Sequence, residues 1–262
     1  MNAFPELVRQ FAIPLARTRQ WRSFCEIGSR KGDSADVLLG LPEVSLTIID
    51  PGLDSDLTRR YSTDRRVTVH KVISLKALPL VVGPFDCILI DGDHNWYTVY
   101  NELRLIRERE LLRSGGMIFF HDVSWPYGRR DMYYQPELIP TAYLHAYERK
   151  APVAGQSELV ESEDPEATLC NATHEGGKKN GVLTAIEDFM KEHEGDYYFW
   201  RVRRLNGMGI MQYRRRALGE GLAFAALVGK ALRFDSKAAL GRLAKSLRSQ
   251  AWAALGKRET SN

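Results

Sequence analysis

Two observations predict an α/β fold built on a doubly wound, mostly parallel sheet. First, five short apolar runs alternate with helical stretches over residues 23–122. Second, these runs are almost continuous in Val, Ile, Leu and Phe, which is typical of parallel strands buried on both faces. Right-handed crossovers between such strands place functional groups at the carboxyl ends of the strands.

The predicted elements follow one another at regular intervals along this part of the chain. A helix is predicted to begin at Ser34, and a longer one spans 96–112, where apolar residues recur at helical spacing. The segment GVLTAIEDFMKEH (181–193) has the same periodicity and predicts another helix. The five predicted strands are SFCEIG (23–28), LTIID (46–50), VTVHKV (67–72), FDCILID (85–91) and GMIFFHD (116–122).

The pattern changes after Val123. Residues 124–180 are rich in Pro, Tyr, Gly, Glu and Asn and show little periodicity. A structureless connection of this length is uncommon inside a compact domain, so we interpret it as a lid or acceptor-binding insertion. Segments 197–204 and 208–215 then predict an antiparallel pair of strands, joined by a turn at 205–207.

Length and composition restrict the class of protein. A chain of 262 residues, 44% of them apolar, can bury a core without disulfides or a structural metal. Three cysteines, with no C-x-x-C or Cys/His spacing, exclude a disulfide scaffold and a zinc finger and predict a reducing, cytoplasmic compartment. No apolar run approaches the ~20 residues that span a bilayer, and the first 20 residues lack a signal-peptide core. The net charge of only +4 argues against nucleic acid as a partner.

The positive charge is concentrated in residues 217–262. This tail carries eight Lys or Arg against three acids, a net charge of +5, whereas residues 1–216 carry −1. It is Ala-rich, and Arg242, Lys245 and Arg248 lie mainly off its apolar face, which predicts a basic amphipathic helix after a first domain. Such a helix can bind the inner face of an anionic membrane, or it can pack on the domain or in a homo-oligomer. The sequence leaves these alternatives open.

A glycine loop follows the first predicted strand. Arg30 stands where the dinucleotide pattern G-x-G-x-x-G has its second glycine, so the loop suits a pyrophosphate poorly. Glu26 can hold a cationic group, and Asp50, which ends the second strand, can accept both hydroxyls of a ribose. Together they indicate a positively charged nucleoside without a pyrophosphate, such as S-adenosylmethionine (SAM); a tight turn of an ordinary α/β domain is the alternative. The expected cofactor contacts in this part of the chain are Glu26, Gly28, Ser29, Gly32, Ser34 and Asp50.

Acids and histidines end the fourth and fifth predicted strands. The fourth ends in Asp91, with His94 three residues later, and the fifth ends in His121-Asp122. Neighbouring strands lie about 4.8 Å apart, so the two carboxylates would repel unless a proton or a cation lies between them. Mg²⁺ suits two carboxylates together with waters and substrate oxygens. His121 either completes this site as a ligand or borders it, and His94 can accept a proton from a hydroxyl.

Each of these residue types also has a common structural role. An aspartate after a parallel strand often caps the next helix, and Asp93 can do so for 96–112. His121 can be a hydrogen-bonded core histidine. Two acid-and-histidine pairs on predicted neighbouring strands nevertheless favour a functional site.

The glycine loop and these strand ends belong to four longer motifs. They are FCEIGSRKGDSA (24–35), LTIIDPG (46–52), DCILIDGDHNWYTVYNEL (86–103) and GGMIFFHDV (115–123). The motifs resemble those of class I SAM-dependent methyltransferases, in the branch of metal-dependent macrolide-sugar O-methyltransferases and related small-molecule enzymes. The resemblance covers about residues 20–125 and the closing hairpin at 197–215.

The resemblance carries implications for both fold and site. It implies a Rossmann-like sheet of seven strands that ends in an antiparallel hairpin. It implies that Asp91, His121 and Asp122 hold Mg²⁺. It further implies that His94 is the general base and that Asp93 lies close to the cofactor.

The segment SWPYGRRDMYYQPELIP (124–140) directly follows the predicted metal site. Aromatic rings beside arginines suit the face of a sugar and its polar groups, and a Tyr-rich surface loop is the alternative. The segment GGKKNGV (176–182) either lines the same site or begins the next helix. The expected acceptor contacts are Tyr127, Arg129, Arg130 and Tyr133.

The residues and the resemblance together predict a Mg²⁺-assisted, SAM-dependent O-methyltransferase acting on a hydroxyl of a sugar, glycan or glycosylated metabolite. A metal-independent methyltransferase of another small molecule, a nicotinamide-dependent oxidoreductase and a non-catalytic nucleotide-binding protein are the alternatives. The glycine spacing and the absence of an evident Tyr-x-x-x-Lys pair disfavour the oxidoreductase. A metal-dependent hydroxylase is disfavoured because His121 and Asp122 are adjacent rather than spaced as H-x-D.

Overall fold

The predicted α/β architecture is confirmed by a computed structural model, which describes residues 4–164, 169–203, 206–213 and 229. Its central sheet has seven strands in the order β3-β2-β1-β4-β5-β10-β9. The first five are mutually parallel, and β10 runs antiparallel to both β5 and β9. The strands are β1 (Ser23–Ile27), β2 (Ser45–Ile49), β3 (Val67–His70), β4 (Phe85–Ile90), β5 (Leu112–Phe120), β9 (Tyr197–Val202) and β10 (Met208–Tyr213).

Helices connect the parallel strands. Residues of α5, α6 and α7 share one apolar cluster with Ile88 and Ile90 of β4 and with Ile118 and Phe120 of β5, so these helices cover one face of the sheet. The helices are α1 (Phe4–Leu7), α2 (Ile13–Arg19), α3 (Asp33–Leu39), α4 (Ser55–Ser62), α5 (Ser74–Ala77), α6 (Trp96–Glu108) and α7 (Val182–Glu192), and a π-helical turn (Val8–Ala12) joins α1 to α2.

The structure corrects the expectation that Asp93 can cap α6. The side chain of Asn95, not that of Asp93, caps the helix by accepting a hydrogen bond from the backbone N–H of Thr98 at 2.8 Å. Asp93 instead accepts from the Thr98 hydroxyl at 3.0 Å. The helix ends four residues before its predicted limit, since Glu110 adopts a left-handed backbone (φ 52°) and the chain then enters β5.

The insertion at 124–180 is more regular than its composition predicts. It forms a three-stranded antiparallel sheet in the order β6 (Met132–Tyr133), β8 (Cys170–Ala172), β7 (Tyr147–Glu148), with 3₁₀ turns at Pro136–Leu138 and Thr141–Tyr143. No periodicity marks it because its strands have only two or three residues. Residues 165–168 lie outside the described part of the chain.

A buried carboxylate ties the insertion to the main domain. Asp131 accepts hydrogen bonds from the backbone N–H of Trp96 (2.7 Å) and of Gly181 (2.6 Å), at the starts of α6 and α7. It also accepts from the hydroxyl of Tyr133 at 2.9 Å. The segment 176–182 therefore leads into α7, and Asp131 fixes the position of the insertion over the carboxyl edge of β4.

The closing hairpin is confirmed as an antiparallel pair. Asn206 and Gly207 have the left-handed backbone that a tight turn requires (φ 63° and 87°). A Cβ atom on Gly207 would lie 2.3 Å from the hydroxyl of Ser124, so the turn packs closely against the start of the insertion. Residue 205 of the predicted turn, residue 204 of the first predicted strand and residues 214–215 of the second lie outside the described part.

The predicted tail at 217–262 lies outside the described residues, apart from residue 229. The proposed domain boundary and the amphipathic helix therefore stay predictions. Within the part of the chain that the structure describes, every helix is too short or too polar to cross a bilayer.

A buried acid on α6 gives the fold a pH-dependent stability. Glu102 is fully buried. Burial raises the pKa of its carboxyl to about 8, the hydroxyl of Ser74 opposes the shift, and the charge of Asp93 adds to it. Because the folded pKa exceeds the ordinary value of 4.5, the folded chain retains a proton that the unfolded chain releases, and stability falls as pH rises from about 4.5 to about 8.

Replacing Glu102 with Gln is therefore expected to stabilise the fold increasingly as pH rises across that window. Urea unfolding at pH 5, 6.5 and 8 measures the difference in free energy of unfolding between variant and wild type. The exposed Glu137→Gln variant removes a similar charge and should show no such trend. A Glu102→Gln difference that stays constant with pH would contradict this account.

Candidate active site

The carboxyl edge of the sheet brings the predicted site residues together. Ile27 of β1 pairs with both Ile49 of β2 and Ile90 of β4, and Ile90 also pairs with Phe120 of β5. All four strands therefore end at the same level. The residues that follow them in the chain are Gly28, Asp50, Asp91 and His121.

Four side chains at this edge of the sheet form an acid–histidine cluster, which consists of Asp91, His94, His121 and Asp122. The Nδ1 atom of His121 lies 3.0 Å from Oδ1 of Asp91 and 2.9 Å from Oδ2 of Asp122. The Nε2 atom of His94 lies 3.2 Å from Oδ2 of Asp122 and 3.5 Å from Oδ1 of Asp91. Asp122 has a left-handed backbone (φ 54°), an uncommon conformation for a residue with a side chain.

The electrostatics of the cluster follow from these short distances. Burial disfavours the charged form of His121, but Asp91 and Asp122 outweigh it and raise the pKa of the imidazole to about 11. Burial likewise acts against ionised Asp91, but His121 and His94 lower the pKa of its carboxyl to about 2. The pKa of His94 is also raised, because Asp122 and Asp91 outweigh the effect of its burial. The ionised carboxylate of Asp91, close to that of Asp122 through His121, favours positive charge between them.

The cluster also fits a divalent cation. Asp91, His121 and Asp122 each offer one ligand atom, and these atoms lie within 4.8 Å of one another. Oδ1 of Asp122 and Nδ1 of His94 are buried and have no hydrogen-bond partner among the described residues. Buried polar atoms are normally satisfied, so such atoms beside two carboxylates indicate room for a further ligand.

The glycine loop lies directly beside the cluster. A Cβ atom on Gly28 would lie 2.2 Å from the carbonyl oxygen of Asp91, so only glycine allows the loop and the end of β4 to come this close. Behind it, Glu26 is buried and accepts a hydrogen bond from the hydroxyl of Ser29 at 2.8 Å. Burial raises the pKa of Glu26 to about 8. The hydrogen bond from Ser29 opposes this shift, and the charges of Asp91 and Asp50 add to it. A cation bound next to Glu26 would favour its ionised form.

Asp50 holds the same loop from the end of β2. Its carboxylate accepts hydrogen bonds from the backbone N–H of Arg30 and, at 2.7 Å, from that of Gly52. A carboxylate has about four acceptor sites, so these bonds leave capacity for a ligand hydroxyl. Asp93 is half-buried and follows the end of β4 by three residues. Ser34 is buried in the first turn of α3.

A tyrosine that sequence reasoning missed supports the loop from below. The hydroxyl of Tyr61, at the end of α4, lies 3.2 Å from the carbonyl oxygen of Gly32 and 2.9 Å from Oδ1 of Asp36. A Cβ atom on Gly32 would lie 2.3 Å from this hydroxyl, which explains the second glycine of the loop. No local motif marks Tyr61, since the contact spans 29 residues.

Aromatic rings surround the cluster. Tyr127 stacks on the imidazole of His94, with ring centroids 5.3 Å apart and an interplanar angle of 4°, and Tyr134 lies at 6.1 Å from His94. Phe4 of α1 packs on His121 at 5.1 Å. Sequence analysis missed Phe4 and Tyr134; the apolar spacing of residues 4–15, which predicts a buried helix, was the available signal for Phe4.

The other predicted acceptor residues have partners within the protein. Arg129 forms an ion pair with Glu187 of α7 at 2.6 Å. Arg130 is buried and donates a hydrogen bond to the carbonyl oxygen of Ala172, and Tyr133 is buried against Asp131. Of the four predicted acceptor residues, the structure thus places Tyr127 against the acid–histidine cluster, whereas an acceptor role for the other three stays a prediction.

Comparison with known proteins finds a similarity to one protein family. Residues 25–123 match the family model described as a methyltransferase domain. This segment contains the glycine loop and the whole acid–histidine cluster. A comparison with curated proteins gives no significant match.

Several solved structures are similar to this chain at low sequence identity. The methyltransferase PaMTH1 from Podospora anserina, solved with bound SAH, is 14% identical, with 78% of this chain and 76% of that chain covered and a TM-score of 0.50. An O-methyltransferase from Bacillus cereus in complex with SAH is 17% identical, with 81% and 80% covered and a TM-score of 0.45. TomG from Streptomyces achromogenes, an O-methyltransferase involved in tomaymycin synthesis and solved with SAM, is 16% identical, with 77% of each chain covered and a TM-score of 0.44. Residues 25–123 are thus similar to a methyltransferase domain, and the chain shares its fold with PaMTH1.

Proposed function

We propose that this protein is a SAM-dependent O-methyltransferase whose acceptor is a hydroxyl of a sugar, glycan or glycosylated metabolite. The observation that carries the proposal is the position of the acid–histidine cluster. It lies at the sheet edge next to the glycine loop, where a base can reach a hydroxyl held close to a cofactor's methyl group. Proximity and orientation are the main requirements, since the sulfonium already activates that methyl group.

The glycine loop and its acidic neighbours would bind the cofactor. Gly28 and Gly32 allow close approach of the ligand, Glu26 supplies negative charge near a cationic group, and Asp50 has free acceptor capacity for ribose hydroxyls. Tyr61 would act as a positioning residue, because its hydroxyl contacts the loop rather than the ligand.

Removing the Tyr61 hydroxyl is expected to weaken SAM binding without stopping methyl transfer. In Tyr61→Phe, the loss of about one hydrogen bond's contribution should raise the SAM dissociation constant about three- to tenfold, with kcat close to wild type. Tyr100→Phe is the matched control, because the Tyr100 hydroxyl bonds Glu192 on α7 instead of the loop. Equal SAM affinity in both variants would contradict the positioning role.

Asp91, Asp122 and His121 would hold a divalent cation, for which the sequence-based prediction is Mg²⁺. When bound, such an ion supplies Lewis acidity that lowers the pKa of a hydroxyl beside it. His121 would fix the orientation of the two carboxyl groups, as its short distances to them indicate.

His94 would act as the general base. If Nε2–H donates to Asp122 at 3.2 Å, the lone pair of the ring lies on Nδ1, the atom without a partner among the described residues. The stacked Tyr127 holds the ring plane in place. Nδ1 would take the hydroxyl proton, and bound SAM would supply a methyl group for the acceptor oxygen, with S-adenosylhomocysteine as the leaving product. The proton then passes from His94 to solvent.

Aromatic rings in the segment that follows Asp122 support a sugar acceptor. Tyr134 and Trp125 are large aromatic side chains that remain exposed, and Tyr134 lies next to His94. Exposed rings beside polar groups are typical of sites that bind the apolar face of a sugar and hydrogen-bond its hydroxyls.

Methyl transfer from isotope-labelled SAM tests the proposal. Purified protein is incubated with SAM and a divalent cation, and with a panel of glycosides, free phenols and carboxylic acids. The proposed function predicts acceptor-dependent formation of S-adenosylhomocysteine and label in a glycoside ether. Transfer to no hydroxyl in the panel, by folded protein that binds SAM, would count against it. Label only in phenols would retain O-methylation and reject the sugar acceptor.

A further inference from the structure

We infer that the acid–histidine cluster selects a divalent transition-metal ion, such as Mn²⁺, Fe²⁺ or Co²⁺, over Mg²⁺, with Nδ1 of His121 as the nitrogen ligand that sets the selectivity. The inference rests on the part of the proposed function that places a cation in this cluster. The two carboxylates alone predict Mg²⁺, and the inference replaces Mg²⁺ with a transition-metal ion.

The geometry places His121 among the direct ligands. Its Nδ1 atom is 3.0 Å from Oδ1 of Asp91 and 2.9 Å from Oδ2 of Asp122. Ligand atoms that bind one ion at about 2.1 Å and at right angles lie about 3 Å from each other. These two distances match the spacing of neighbouring ligands in one coordination sphere, and all three ligand atoms lie within 4.8 Å of one another, so His121 fits this sphere as a direct ligand.

Three contacts hold His121 in this position. Its backbone N–H donates to the carbonyl oxygen of Ile90 at 3.0 Å, which fixes the residue at the end of the sheet. The ring of Phe4 covers the imidazole. The left-handed backbone of Asp122 is the conformation in which its carboxylate meets the His121 ring. The Nδ1 atom of His121 is therefore held within the cluster, at a position that an oxygen ligand would otherwise occupy.

A second observation points to a bound ion rather than to a closed set of ion pairs. Asp122 is 3% exposed, yet its Oδ1 atom has no hydrogen-bond partner among the described residues. Asp122 therefore offers an oxygen that the histidines do not use. His94 brings a second imidazole to within 3.2 Å of the other Asp122 oxygen.

The chemistry of this ligand set favours softer ions than Mg²⁺. Mg²⁺ prefers carboxylate, carbonyl and water oxygens in a near-ideal octahedron, whereas imidazole suits Fe, Ni, Cu and Zn. A nitrogen in place of a third protein oxygen weakens Mg²⁺ binding and strengthens transition-metal binding. Two carboxylates with one or two imidazoles are therefore a better match for Mn²⁺, Fe²⁺ or Co²⁺.

Metal titration of the full chain, stripped of metal and without SAM or acceptor, tests the inference. Calorimetry gives the dissociation constants of Mg²⁺, Mn²⁺ and Co²⁺, and the visible absorption of Co²⁺ reports its ligands. Most sites bind Co²⁺ more tightly than Mg²⁺, so the informative quantity is how the ratio of constants changes in a variant. His121→Asp supplies an oxygen instead of the nitrogen, and His174→Asp, on the exposed loop before α7, is the matched control.

The wild type is expected to prefer Mn²⁺ and Co²⁺ over Mg²⁺. The preference should fall at least tenfold in His121→Asp, with a changed Co²⁺ spectrum, and should be unaltered in His174→Asp. If His121→Asp does not fold, as judged by circular dichroism, His121→Asn gives the same comparison with a neutral oxygen. An unchanged ratio and spectrum in the folded variant, or no binding of any of the three ions by the wild type, would overturn the inference. Metal selectivity with no methyl transfer would instead refute the proposed function and leave the metal site intact.

Discussion

Replacing Asp91 with Asn is expected to reduce methyl transfer about 100-fold or more while SAM binding changes less than threefold. Both histidines of the cluster approach Asp91, as they approach Asp122, and they hold the pKa of Asp91 near 2, so Asp91 is ionised at any working pH. Asn keeps the shape but removes the charge. Loss of one charged ligand should abolish tight cation binding and disturb both imidazoles. Turnover and SAM affinity are measured separately, by initial rates and by calorimetry.

The surface variant Asp56→Asn controls for the loss of one negative charge, because Asp56 is exposed and, among the described residues, forms its ion pair with Arg59 of the same helix. It should retain wild-type turnover. Full activity of folded Asp91→Asn, with or without added cation, would contradict a role of the cluster in the reaction. A loss of SAM binding that accounts for the whole decrease in turnover would assign Asp91 to the cofactor site instead.

Replacing His94 with Ala is expected to lower kcat about 10²- to 10⁴-fold, the usual contribution of a general base. The ring is held between Tyr127 and the two carboxylates, and its buried Nδ1 atom has no hydrogen-bond partner among the described residues. SAM affinity should stay within threefold of wild type, because His94 approaches the acids and not the glycine loop. Initial rates at saturating SAM and acceptor measure the effect.

The control variant is His193→Ala, which removes a histidine at the end of α7, away from the cluster. It should leave kcat unchanged. A His94→Ala variant with normal kcat but weakened SAM binding would contradict the base role. Partial recovery of the rate by added imidazole would support it, since a small base can then occupy the vacated position.

Residues at the ends of parallel strands could be predicted from the sequence. Near-continuous apolar runs identify strands buried on both faces, and strands of one parallel sheet end at one edge. This reasoning brings Asp91 and Asp122 together across β4 and β5, and the structure confirms their proximity through His121. The left-handed backbone of Asp122, which turns its carboxylate toward the histidine, has no sequence signal.

Contacts between distant parts of the chain could not be predicted in this way. Tyr61 reaches Gly32 across 29 residues, and Phe4 reaches His121 from the first helix. The insertion shows the same limit, because its position depends on one carboxylate, Asp131, whose partners are two helix starts and a tyrosine. Single polar residues with partners remote in sequence leave no periodic pattern.

Calorimetric titration of the folded protein with SAM tests the central claim most directly. The glycine loop, Glu26 and Asp50 predict binding in the micromolar range, with S-adenosylhomocysteine competing for the same site and NAD⁺ failing to compete. Circular dichroism on the same sample shows that the protein is folded. No heat of SAM binding, in the presence or absence of a divalent cation, would contradict the account of this domain as a SAM-dependent methyltransferase.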